Sequence, residues 1–197
     1  TLRDALAKSV NTAAVKVSEK VGRQKVVKAA ERLGITSKLK GHPSIALGAG
    51  EANLLDMTAA YAVFANRGFP AWPYGIIEIR DGANRLLYRR SSVSTGPLVR
   101  AETVKGMQEM LREVVISGTG RRARLNRPTA GKTGTSQGFR DAWFIGFTAE
   151  LVTGVWLGND NSSTMKKVSG GSLPATLWKG FMQDALRGTP VRRLPQP

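Results

Sequence analysis

"GKTGTSQGFRDAWFIGFTAELVTGVWLGND", residues 131–160, reads as three short runs rich in β-branched and aromatic residues, separated by turns. The second and third runs, "AWFIGFTA" and "LVTGVWLGND", lie close enough in sequence to pair antiparallel. Ahead of this block the chain reads mainly as helices. "TLRDALAKS" opens with Thr1 and Asp4 in capping-box spacing. "NTAAVKVSEKVG" carries Val15, Val17 and Val21 and stops at Gly22, and "RQKVVKAAERLG" sets Val26, Val27, Ala30 and Leu33 on one side before Gly34. A glycine-rich loop, "SKLKGHPSIALGAGE", leads to "NLLDMTAAYAVFANRG", where Leu54, Met57, Tyr61 and Phe64 recur at helical spacing as core candidates. "YGIIEIRD" and "RLLYRR" around "GAN" predict a β-hairpin, and "RAETVKGMQEMLREVVISG" an amphipathic helix through Val104, Met107, Leu111 and Val114. The last helix is "GGSLPATLWKGFMQDALRG", with Ser172 as its cap, Pro174 in its first turn and Gly188 at its end. Helices, then strands, then a helix predict an α+β fold with a mainly antiparallel sheet. Residues 1–188 form the expected folded unit and 189–197, "TPVRRLPQP", a flexible tail.

Composition narrows the chemistry. With 41% hydrophobic and 22% charged residues, 197 residues suffice for one sizeable packed domain. No apolar run is long enough to cross a membrane, and the first residues lack the pattern of a signal peptide, so any anchor is expected outside this sequence. The absence of cysteine removes thiol nucleophiles, disulfides and cysteine metal sites. His42, the single histidine, stands in the turn-like "KGHPS" and reads as a surface-loop residue, not the base of a triad or a metal ligand. Thirty basic against fourteen acidic residues give +16, a field that attracts anionic membrane or wall polymers. The basic residues are scattered, without a helix-turn-helix, zinc-finger or RNA-binding aromatic pattern, so no nucleic-acid partner is expected.

"TAGKTGTS", residues 129–136, carries the densest chemistry. A nucleotide-binding loop needs a glycine five residues before its Gly-Lys-Thr, and that position is Asn126. It also needs a helix to start at the Lys-Thr, where Gly134 and Gly138 intervene. As a strand, the stretch places Lys132 and Gly134 on one face and Thr133 and Thr135 on the other. Glycine permits close approach of a ligand backbone, lysine supplies a cation, and the following hydroxyl can bond an anion. That set fits serine–lysine acyl transfer, whose signatures are Ser-x-x-Lys, Ser-x-Asn and Lys-Thr-Gly in that order. Ser9-Val10-Asn11 precedes Lys132-Thr133-Gly134. Either motif alone is weak; the two in order are stronger.

The stretches "SVNTAAVKV", "ALGAGEANLLDMTAAYAVFANRGF", "GKTGTSQGFRDAWFIGFTAELVTGVWLGND" and "GGSLPATLWKGFM" resemble the transpeptidase domain of class A penicillin-binding proteins, the bifunctional enzymes that polymerise and cross-link peptidoglycan. The "FRDAWFIGF" and "GGSLPA" blocks separate that family from soluble β-lactamases. The resemblance implies a penicillin-recognising serine acyltransferase fold, with an antiparallel sheet packed between helices and the site at the sheet's edge. It implies roles for Ser9 in proton transfer to the leaving D-alanine, Asn11 on the substrate amide, and Lys132 as cation and proton-transfer aid. Gly134 would let substrate lie along the strand, and Thr135 would offer a hydroxyl to its carboxylate and a backbone N–H to the oxyanion. Thr133 is expected to be structural. The implied ligands are D-Ala-D-Ala stem peptides and β-lactams, with no metal or organic cofactor. The implied place is the cell envelope, on the outer (periplasmic) face of the cytoplasmic membrane, held by an N-terminal segment not in this chain.

One signature is expected elsewhere. In the family, Ser-x-x-Lys precedes Ser-x-Asn by several dozen residues, whereas Ser9 lies near the start of this sequence. The match "STMK", Ser163 to Lys166, follows Lys-Thr-Gly in a turn-rich stretch and reads as coincidence. The fold is therefore expected to be incomplete here, with the nucleophile on an upstream half of the same domain, which could be present as a second chain. The alternative is a catalytically inactive penicillin-binding-like module that binds cell-wall peptide or protein partners.

Overall fold

The computed structural model describes residues 1–91 and 96–196; among them are six α-helices and two antiparallel sheets. Helix α1 (Leu2–Ala7) begins at a full capping box in which the Thr1 hydroxyl accepts from the Asp4 amide and Asp4 reaches back to Thr1. Helices α2 (Asn11–Val21) and α3 (Arg23–Arg32) follow. The glycine-rich loop is not wholly irregular, since Pro43–Leu47 wind into a 3-10 turn started by proline's fixed φ. Helix α4 (Leu54–Ala65) is capped by the Asn53 side chain, which accepts from the Asp56 amide at 2.8 Å.

Burial on α4 is shared more widely than expected. Ala59, Ala60, Val63 and Ala65 are buried, while Leu54, Met57, Tyr61 and Phe64 are half-buried, Tyr61 and Phe64 packing against the core clusters. The helix lies close on the sheet through Leu54 and Thr58; a Cβ on Gly154 would overlap the Thr58 hydroxyl and press on Leu54.

The expected hairpin is present but short: β1 (Glu78–Arg80) pairs antiparallel with β2 (Leu86–Arg89). Helix α5 (Ala101–Ile116) buries Val104, Leu111 and Val114, with Met107 half-buried beside them. Three strands then build the main sheet: β3 (Ala130–Thr135), β4 (Asp141–Phe147) and β5 (Val152–Gly158), in the order β3-β4-β5. The register pairs Lys132 with Ile145 and Gly134 with Trp143. Because side chains alternate, Ala130, Lys132 and Gly134 share a face with Trp143 and Trp156, and Thr133 and Thr135 take the other.

Helix α6 (Leu173–Ala185) covers that other face. Trp178, fully buried, meets Phe144 edge-on at 5.2 Å between ring centroids, and its N–H donates to the Thr153 carbonyl at 3.0 Å. Val115, Ala123, Ala175, Met182 and Leu186 complete this cluster. With α4 on one face and α6 on the other, the sheet is packed between helices. Ser172 stands at the N-cap position of α6, but its hydroxyl turns back, donating to Ser169 O at 2.6 Å instead of capping the helix. The Gly170–Gly171 turn bends the chain so sharply that this carbonyl is the nearer partner.

The segment expected to be a flexible tail makes defined contacts. Residues 189–196 have no helix or strand, yet Leu194 is 6% exposed and Pro195 O accepts from the Gln108 side chain at 2.9 Å. Burial of one leucine and capture of one carbonyl hold the segment. Pro197 lies outside the described residues.

Candidate active site

Lys132 is the centre of the site. Its Nζ donates to Ser9 Oγ at 3.0 Å and to Thr133 O at 2.9 Å, joining residues far apart in sequence. Burial pushes its pKa from 10.5 down to about 8, because the ammonium has lost water without gaining a carboxylate. At neutral pH the group is mostly cationic and gives up a proton far more readily than a surface lysine.

Ser9 lies at the junction of α1 and α2, where its φ is +54°, in the left-handed region that non-glycine residues rarely occupy. That kink turns the chain sharply between the helices and puts the hydroxyl within reach of β3. The junction is anchored from behind, since α1 packs on α5 and the Thr119 amide donates to Ala7 O at 3.0 Å. Asn11, the first residue of α2, is exposed two positions beyond Ser9.

Gly134 sits tightly over its strand partner. A Cβ there would sit 3.2 Å from Trp143 Cβ. Gly170 presses so close that its own Cβ would overlap the carbonyl oxygens of Trp143 and Gly134. Thr135, exposed at the end of β3, accepts from the Gly170 amide at 3.0 Å through Oγ1, so its O–H proton remains available to a ligand. The hydroxyls of Thr133 and Thr119 are 2.6 Å apart. Among the described residues only β4 pairs with β3, so the outer edge of β3 presents backbone groups to an extended ligand.

Ser9, Asn11, Lys132, Gly134 and Thr135 thus gather along one strand and one helix junction. Two supports were not foreseen: Thr119, for which the sequence offers no signal, and Gly170, whose only hint is the glycine doublet. His42 is exposed in its loop. Ser163 lies in irregular chain and Lys166 in a bend, with Asn159 donating to Ser163 O and Oγ, so this lysine is not one helical turn past the serine. Among the described residues, no group of three or more His, Cys, Asp or Glu could hold a metal ion, and no helix is long and apolar enough to cross a membrane.

The family model described as the penicillin binding protein transpeptidase domain matches residues 1–171. The chain is 42% identical over 192 residues to penicillin-binding protein 1A of Aquifex aeolicus, covering 96% of this chain and 26% of that protein. It is 38% identical over 205 residues to penicillin-binding protein 2D of Bacillus subtilis, covering 100% of this chain and 29% of that protein. The chain therefore spans about a quarter of the length of these curated relatives. Among solved structures, PonA1 from Mycobacterium tuberculosis superposes with a TM-score of 0.91 at 26% identity, over all of this chain and 58% of that one. The same protein in complex with penicillin V gives 0.90 at 26% identity, over all of this chain and 59% of that one.

Proposed function

Because this chain belongs to the penicillin-binding protein transpeptidase family, we propose that it is the carboxyl-terminal part of a peptidoglycan D,D-transpeptidase of the bifunctional class. The 3.0 Å contact between Lys132 Nζ and Ser9 Oγ carries the reading. In the proposed reaction the serine of the Ser-x-x-Lys signature, outside this chain, gives its proton to that signature's lysine as it attacks the carbonyl of the penultimate D-alanine of a stem peptide, and recovers it when the acyl group leaves. As the C–N bond breaks, Ser9 gives its proton to the departing nitrogen and regains one from Lys132. The amine of a neighbouring strand then attacks the acyl-enzyme, and its proton returns along the same path. Lys132 and the Thr135 hydroxyl attract the substrate's terminal carboxylate, Asn11 holds the acyl-side amide, and the Thr135 N–H is one donor to the oxyanion. Loss of one such donor typically costs roughly 3–4 kcal/mol of transition-state stabilisation. A β-lactam takes the place of D-Ala-D-Ala in the first step and stays attached.

The upstream half of the domain is the proposed partner of the apolar surface left on this chain. Leu173, Leu177 and Phe181, one turn apart along α6, are 47%, 46% and 53% exposed, a stripe that a monomeric helix rarely leaves to water. The setting proposed is the outer face of the cytoplasmic membrane, where a +16 surface meets anionic lipid and wall polymers.

The test is covalent labelling by a fluorescent penicillin, followed by peptide mapping. The full protein is expected to label on a serine outside these residues, the isolated chain not at all, and Ser9→Ala or Lys132→Ala in the full protein slowly. Labelling at Ser163 or Ser9 would overturn the assignment. A full protein that stays unlabelled would favour an inactive module that binds wall peptide or protein partners.

A further inference from the structure

Lys132 and Ser9 rest on one apolar floor. Ala130, two residues before Lys132, and Leu6, three before Ser9, pack in a single cluster with Ala65, Leu111 and Phe147. Its remaining buried member, Leu194, comes from the carboxyl-terminal segment and is 6% exposed. Two polar clasps hold that segment. The Gln108 side chain, 3% exposed, donates to Phe64 O at 2.7 Å and to Pro195 O at 2.9 Å, tying α4, α5 and the segment together. Arg127, just before β3, donates to Thr189 O at 3.1 Å. We propose that residues 189–196 are a strap that positions the Ser9–Lys132 pair, with Leu194 and Gln108 as positioning residues that touch neither substrate nor reacting atoms.

The physical reason is close packing. A cluster this small transmits the loss of one member to the rest, and a contact between two side chains from separate elements fails when its two supports shift apart. Leu194 belongs to the one cluster that both sides share. Loosening the strap therefore changes the relative placement of β3 and the α1–α2 junction while leaving the outer edge of β3 open to ligand.

The proposal rests on the transpeptidase reading and is tested in the full protein that contains this chain. Acylation by a fluorescent penicillin is resolved into non-covalent affinity and the first-order acylation constant, at a temperature where circular dichroism shows every variant folded. Leu194→Ala is expected to lower the first-order constant by about 10- to 100-fold, with affinity within about twofold of wild type, and Leu194→Met to restore it. Gln108→Met keeps the volume but removes the Gln108 clasp, leaving the Arg127–Thr189 bond in place. It is expected to open the exposed Arg192–Arg193 site to trypsin, with acylation falling in step with cleavage. Equal first-order constants for folded Leu194→Ala and wild type, or acylation that survives complete trypsin cleavage, would overturn the strap alone. A wild-type protein that does not acylate would bring down the transpeptidase reading and the strap with it.

Discussion

Lys132→Met is expected to make the protein more stable and less active. The lysine's pKa falls from 10.5 to about 8 on folding, through burial. At roughly 1.4 kcal/mol per pH unit, holding the charged form in the fold at pH 7 costs about 3 kcal/mol. Methionine is close in volume and carries no charge, but it forfeits the bonds to Ser9 Oγ and Thr133 O, an offset of about 2 kcal/mol at about 1 kcal/mol each. The net expectation is a gain of about 1 kcal/mol at pH 7, a rise of about 0.5 M in the urea midpoint at an m-value of about 2 kcal/mol/M.

The pH dependence makes the test specific. Below about pH 8 the lysine is charged in both folded and unfolded states, and the penalty is constant. Between about 8 and 10.5 the unfolded state binds the proton and the folded state does not, so wild-type stability rises with pH. The advantage of Lys132→Met must therefore disappear by about pH 10. Raising the pH also relieves the general repulsion of a +16 chain, but that effect is shared by both proteins and drops out of the difference. Urea unfolding of wild type and variant, followed by tryptophan fluorescence at pH 7 and pH 10, measures that difference. A variant less stable than wild type at pH 7, or a difference that does not change with pH, would refute the burial argument.

Ser9→Gly should relieve the left-handed backbone, raising stability by about 1 kcal/mol in thermal melts. The same change should slow acylation about 100-fold or more by removing the hydroxyl next to Lys132. Gly170→Ala forces a methyl group into the carbonyls of Trp143 and Gly134; a loss of about 1–3 kcal/mol and a displaced β3 are expected, read as a lower melting temperature together with slower acylation. Trp178→Ala empties the centre of the α6 cluster and should cost about 3–5 kcal/mol in denaturant unfolding. Acylation should be unchanged in Ser163→Ala, since that serine lies in irregular chain without a lysine one helical turn away.

Local signals in the sequence were read where local physics decides. The capping box at Thr1 and Asp4, the apolar spacing of α5 and the alternation of β3 each depend on neighbours within a few residues, and each is realised. Where distant packing decides, the sequence pattern misleads. Large residues of α4 recur at helical spacing and touch the core, but the most buried positions of the helix are Ala59, Ala60, Val63 and Ala65. "TPVRRLPQP" has the composition of a loose end, and only the fold supplies Gln108 and an apolar cluster to hold it. Ser172 looks like a cap until the Gly170–Gly171 turn brings Ser169 O nearer. The site follows the same division. The Ser-x-Asn and Lys-Thr-Gly motifs named its residues, but not the left-handed φ of Ser9 that lets the two motifs meet, nor Thr119 bonded to Thr133.

The two groups that meet at 3.0 Å are each unfavourable in isolation: a lysine stripped of water and a serine in a left-handed backbone. Together these features weigh against folding by about 4–5 kcal/mol, a large share of a domain's usual net stability. Such an arrangement persists only where its surroundings fix it on several sides. Here α1 is held to α5 through Thr119, β3 is wedged by Gly170, and Ala130 and Leu6 share one floor with Leu194. The core around Trp178 stabilises the sheet from the opposite face, so its strength does not depend on the site's geometry. Substitutions in that core should therefore change stability far more than the rate of acylation per folded molecule. Substitutions in the Leu194 floor should do the reverse. The two clusters lie on opposite faces of the same three strands, which makes this contrast a test of where positioning ends and bulk stability begins.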